Sequence, residues 1–101
     1  MGRLLPSDID KNEARQLLEA ATRQLRMKGR RELEQLLKEP ETAELVGPSG
    51  KTYQTEAQAF WDDKKGYDLR VLVSIDDGGW SAIAPMTDSF IVAPDGSFVG
   101  E

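Results

Sequence analysis

From Tyr53 to Val92 the chain carries four stretches in which apolar residues alternate with polar ones, separated by turns rich in Asp and Gly. Successive side chains on a β-strand point to opposite faces, so a period of two with regularly spaced turn residues is the pattern of an antiparallel meander. The spacing predicts strands at about Ala43 to Val46, Lys51 to Trp61, Leu69 to Ile75, Trp80 to Ala84 and Phe90 to Ala93. Gly47 to Gly50, Asp62 to Tyr67, Asp76 to Gly79 and a turn near Thr87 and Asp88 join them, with the Gly and Asp that turns favour. Pro94 to Ser97 reads as a further turn, leaving Phe98 and Val99 for a final short pairing. Pro85 lacks a ladder donor, so the fourth strand must end there, bulge there or lie at an edge.

The first part of the chain has a different period. Ala14, Leu17, Leu18, Ala21 and Leu25 recur at three and four, which lines one stripe of a helix. Ser7 or Asp10 can cap its first turn, Asp10 standing three residues before Glu13 as in a capping box. Gly29 interrupts, and a second helical stretch follows from about Arg30 to Lys38 with Leu33, Leu36 and Leu37 as its apolar face. Pro40 ends it, because the residue before a proline is biased away from the helical region. Gly in a helix interior costs about 1 kcal/mol, so the expectation is a helical hairpin or one broken helix. An unbroken helix from Asp10 would run about 43 Å and imply a dimer. The fold class expected is α+β: one domain over residues 1–101, a helical layer at about 8–39 packed on a four- to five-stranded antiparallel meander at about 43–99.

Composition narrows the chemistry. The chain has no Cys and no His, which removes disulfides, thiol nucleophiles, Cys/His zinc sites and the imidazole base. An enzyme would have to work with carboxylates, Lys, Tyr, Ser or Thr, so the reading leans away from an enzyme, and no cofactor or metal is expected. No apolar run approaches the roughly 20 residues that span a bilayer, and Met1 to Leu5 is too short for a secretory signal; the location expected is cytoplasmic, with no membrane partner. Through Pro40 there are nine basic residues against seven acidic, a balance of +2, whereas the remainder has four against eleven, or −7. Such asymmetry accompanies a charged partner, holds a helical layer on its own sheet, or joins two copies of a chain.

Several motifs invite a sharper reading. Gly47-Pro48-Ser49-Gly50-Lys51-Thr52 looks like the end of a phosphate-binding loop, but that loop needs Gly where Leu45 stands and a helix after the Lys, whereas Tyr53 to Ala57 alternates as a strand. It reads as a hairpin turn. The pairs Asp62-Asp63 and Asp76-Asp77 lie at opposite ends of the third strand, some 20 Å apart at about 3.3 Å per residue, too far for a joint acid-base role. The topology expected gathers Asp62, Asp63, Lys64, Lys65, Asp68 and Asp88 at one end of the sheet, and the Gly47 turn, Asp76, Asp77, Trp80 and Asp95 at the other. Asp76, Asp77 and Trp80 form the candidate ligand or hydrolase site, weighed against Trp80 simply anchoring the core. The basic cluster Arg23, Arg26, Lys28, Arg30 and Arg31 suggests nucleic acid. The acidic total and the lack of interleaved aromatics argue instead for a solvated face or an internal partner.

The sheet's two faces give the leading functional expectation. Leu69, Val71, Val73 and Ile75 share one face with Tyr53, Ala57, Ala59 and Trp61, and Phe60, Leu72, Ile83 and Ile91 interrupt a polar row on the other. Burying four such side chains is worth about 6 to 12 kcal/mol, comparable to the stability of a domain, so something should cover them. Either a second copy or another protein does so, or the strands twist so that one helix covers each face. The architecture, helices then a meander, resembles small bacterial toxins that cleave messenger RNA. The acidic charge and the lack of an Arg/His/Tyr constellation leave no family assigned. The expectation is a non-enzymatic protein-interaction module, self-associating through Phe60, Leu72, Ile83 and Ile91.

Overall fold

The computed structural model describes residues 6–78 and 86–101, with side chains from Lys11 onward. The order is α1 (Pro6–Arg26), α2 (Arg30–Leu33), a 3-10 turn (Glu34–Leu37), then β1 (Glu41–Val46), β2 (Thr52–Trp61), β3 (Leu69–Asp76) and β4 (Met86–Val92). This is the α+β arrangement the periodicities predict: a helical layer on a four-stranded antiparallel sheet in the order β1-β2-β3-β4. The strand expected at 80–84 lies outside the described residues.

The helix does break near Gly29. The amides of Met27 and Lys28 turn back to the carbonyls of Gln24 and Leu25, tightening the end of α1. Gly29 itself is extended, at φ −72° and ψ 158°, and its carbonyl accepts the Leu33 amide that opens α2. The second arm is short, one α-helical turn followed by one of 3-10, and Pro40 admits the chain to β1.

The core lies on one face of the sheet. Along β3 the residues Leu69, Val71, Val73 and Ile75 are buried and their neighbours are not. Antiparallel register puts Trp61, Ala59, Ala57 and Thr55 of β2 beside them in turn. From β4, Val92 and Phe90 join at Leu69 and Val71. Ala14, Leu18 and Leu25 of α1, with Leu33 and Leu36, close the layer. Since α1 packs on β3 and β4 and the 3-10 turn packs on β2, all helical elements cover the same face.

Two expectations are corrected. Thr87 and Asp88 are not a turn but central residues of β4, paired with Ser74 and Val73; strand pairing with β3 overrides the turn preference of Asp. Because Met86–Val92 is the strand adjoining β3, the turn after it, closed by the Ala93 amide on the Ser97 carbonyl at 2.8 Å, emerges beside Leu69. Asp95 therefore stands at the end of the sheet near Asp62 and Asp68, the opposite end from the one expected, and Asp88 stands at neither.

Candidate functional site: the outer sheet face and its surroundings

On the face away from the helices, pairing brings Phe60 opposite Arg70 and Arg70 opposite Ile91. Leu72 is two residues further along β3, opposite Gln58 and Ser89. Leu72 is thus a diagonal neighbour of both Phe60 and Ile91, a separation of roughly 7 to 8 Å that large side chains bridge. Ile83 lies outside the described residues. Phe60 is 41% exposed, and Leu72 and Ile91 are half-buried. The patch is centred on a cation. Arg70 donates from Nε and Nη2 to one carboxylate oxygen of Asp62 at 2.8 and 2.7 Å, and reaches Ser89 Oγ at 3.5 Å. Glu44, Gln54, Glu56 and Ser74 complete the face toward the other end.

The basic cluster is largely engaged within the fold. Arg26 pairs with Glu101 and lies over Phe98, 4.2 Å from the ring centre, and over Phe90 at 5.6 Å. That pair raises the Arg26 pKa and lowers that of Glu101, the shared hydrogen bond being the main cause of each. Arg30 bonds Glu34 at 2.9 Å and the Val92 carbonyl at 3.2 Å, and stands 5.7 Å from the Trp61 ring. Lys28 approaches Glu41 at 3.7 Å. Among the described residues, Arg23 and Arg31 make no ion pair.

At the Gly47 end the structure holds a contact that sequence reasoning missed. The Glu13 carboxylate of α1 accepts the Ser49 amide at 2.8 Å, the Ser49 hydroxyl at 2.7 Å and the Tyr53 hydroxyl at 3.0 Å. The loop that looks phosphate-binding does bind an anion, but it is the chain's own. A Cβ on Gly47 would come within 2.3 Å of Glu13 Oε1, so any larger residue there would make the carboxylate shift from this position. The Ser49 amide and hydroxyl hold the Glu13 pKa below its usual value against desolvation, with Tyr53 and Lys51 helping. The sequence signal was present: a turn with a free amide, a hydroxyl and a small residue, and an acid in the third turn of the helix.

Of the candidate ligand site, Asp76 accepts the Gly78 amide at 3.0 Å, an ordinary turn contact. Asp77 pairs with Lys51 at 2.7 Å and its side chain is only 3% exposed; Trp80 lies outside the described residues. Cavities of about 490, 210 and 150 Å³ occur along α1, α2, the 3-10 turn and β1, and none of the three is lined by Asp76 or Asp77. Among the described residues no group of three or more acidic side chains could hold a metal ion, and no helix is long and apolar enough to cross a membrane.

The fold and its surfaces define an α+β meander with a one-sided helical layer. No family model, curated protein or solved structure matches the chain.

Proposed function

We propose that this chain is a small, non-enzymatic protein-interaction module that pairs with a second copy of itself through the outer sheet face. The observation that carries the reading is the clustering of Phe60, Leu72 and Ile91 on the one face that the helices leave open. A second copy suits the face because its charge is directional, with Arg70, itself paired with Asp62, toward one end and the carboxylates Glu44 and Glu56 toward the other. A two-fold axis lying between the sheets and across the strands sets the Arg70 end of each copy over the acidic end of its mate. Four strands about 4.8 Å apart, over some 7 residues at about 3.3 Å, offer roughly 440 Å². A standard interface takes about 800 Å² from each partner, so association is weak, in the micromolar range or above.

Light scattering coupled to size exclusion, from ten micromolar to millimolar chain, tests this. The wild type gains mass with concentration, whereas Leu72→Glu and Phe60→Glu stay monomeric with unchanged circular dichroism. A wild type that stays monomeric throughout, or variants that still dimerise, overturn the reading.

A further inference from the structure

β1 is the strand that the helical layer covers least. It stands at the edge of the sheet, and five of its six residues are exposed, Leu45 alone being half-buried. The opposite edge is different. There the bridge from Val92 to Phe98 and the bond from the Val99 amide to the Ile91 carbonyl occupy part of β4, while among the described residues nothing pairs with the outer edge of β1.

The register says which groups β1 offers. Gly47 donates to the Lys51 carbonyl at 2.8 Å, which makes these two a hydrogen-bonded pair. Antiparallel ladders alternate, so Leu45 with Tyr53, Ala43 with Thr55 and Glu41 with Ala57 are bonded pairs too. The amides and carbonyls of Thr42, Glu44 and Val46 consequently aim outward at the open edge. Beside them runs a groove of about 150 Å³ between α1 and β1, walled by Ala21 and Leu25 and floored by Ala43, Leu45 and Ala57. At Leu25, Lys28 and Glu41 it adjoins the 490 Å³ cavity beneath Pro40. The strand's charged residues are both acidic, Glu41 and Glu44, and Glu56 is opposite Thr42 on the outer face.

We infer that the β1 edge takes an extended segment of another protein as a fifth strand. Its alternate apolar side chains lie in the groove, and its Lys or Arg side chains lie on the outer face against Glu44 and Glu56. Charge selects the partner. A second copy of β1, bonded through Thr42, Glu44 and Val46, sets Glu44 opposite or diagonal to its own counterpart and brings no cation. A basic, alternating segment satisfies both the ladder and the carboxylates. This inference uses none of Phe60, Leu72 and Ile91, but it shares Glu44 and Glu56 with the proposed pairing, and the two occupants compete for them.

The test is an amide NMR titration of the full chain at ten micromolar with three acetylated octapeptides. These are alternating Lys and Val, alternating Glu and Val, and the Lys/Val peptide N-methylated at alternate residues, which keeps the charge but cannot form a ladder. The Lys/Val peptide shifts Thr42, Glu44, Val46 and the groove residues, and the other two bind at least tenfold more weakly. Thr42→Pro removes an outward donor without breaking a bond to β2, and it weakens binding by a similar factor. Glu44→Lys, which keeps every backbone donor, reverses the preference between the two charged peptides and serves equally if the proline variant does not fold. Equal binding of the N-methylated peptide, shifts centred on Leu72, a concentration-dependent dimer abolished by Thr42→Pro but not by Leu72→Glu, or no localised shift at millimolar peptide overturns the inference.

Discussion

The same substitution made at two positions on β3 separates the two faces of the sheet. Leu69 and Leu72 are three residues apart on one strand, yet Leu69 is fully buried between Trp61 and Val92 while Leu72 is half-buried on the outer face. Truncating a fully buried leucine to alanine costs about 2 to 5 kcal/mol, the lost transfer energy plus the cavity. For a domain of this size each kcal/mol lowers the melting temperature by about 4 to 8 °C, so Leu69→Ala falls by roughly 8 to 40 °C. Leu72→Ala, in the monomer, changes stability by only about 0.5 kcal/mol, a few degrees. Concentration then distinguishes packing within the fold from packing between copies. A ligand-like partner raises the melting temperature by mass action, so wild type and Leu69→Ala melt higher at millimolar than at ten micromolar chain, and Leu72→Ala does not. Scanning calorimetry at both concentrations reads all three. Equal losses for the two variants at ten micromolar would refute the assignment of faces. A concentration dependence retained by Leu72→Ala would refute the dimer.

The contact between Glu13 and the Gly47 turn makes two further predictions. The Glu13 pKa is lowered from the usual 4.5 in the fold, so the unfolded chain binds the proton more readily; the stabilisation is present above about pH 4.5 and is lost as pH falls from there through the folded value. A carboxyl NMR titration should find Glu13 below 4.5, and Glu13→Gln should flatten the acid limb of the melting curve; titration at or above 4.5 refutes the contact. Gly47→Ala should lower the melting temperature in the wild type but not in a Glu13→Ala background, because the colliding atoms belong to Glu13; additive losses would show that the glycine serves something else.

The strand interiors were legible because parity is a local property. The alternation in β2 and β3 assigns Tyr53, Ala57, Ala59, Trp61, Leu69, Val71, Val73 and Ile75 to one face, and all are buried except Trp61, which is half-buried against the same core. The helical stripe was equally plain, since Ala14, Leu18 and Leu25 are buried at its centre. What failed depended on pairing between distant segments. Asp88 looks like a turn residue until β3 is laid beside it, and Asp95 changes ends of the sheet as a consequence. The outer patch was legible as a set of apolar residues, but not as a set arranged around Arg70, because register places Arg70 between Phe60 and Ile91. The exposed β1 was hidden for a geometric reason. A helix is about 10 Å across and strands are about 4.8 Å apart, so α1 covers two strands. The 3-10 turn reaches β2, and β1 is left with only the flank of α1 across its groove, although Ala43 and Leu45 are written like core residues.

The unequal division of charge along the chain also acquires a cause from the fold. Of the three explanations that a basic first part and an acidic remainder allow, docking of the helical layer on the rest of the chain accounts for three of the five cations of the Arg23 to Arg31 cluster. Arg26 reaches Glu101, Lys28 reaches Glu41, and Arg30 reaches the Val92 carbonyl. In the other direction the acid of α1, Glu13, is taken by the β1–β2 turn. Each of these contacts is at least partly open to water, where solvent screening leaves charged contacts little stabilising effect, so they orient the layer more than they hold it. Orientation is what the apolar stripe cannot supply, since burial is proportional to area and indifferent to direction. Glu13, in the third turn of α1, is held by Ser49 and Tyr53, and Arg26, its last residue, by Glu101, so the two contacts fix the direction of the helix across the sheet. Two of these contacts, Lys28 with Glu41 and Glu13 with Ser49, reach β1 or the turn that follows it, yet every β1 residue except Leu45 stays exposed, so the charges align the layer without covering the edge strand.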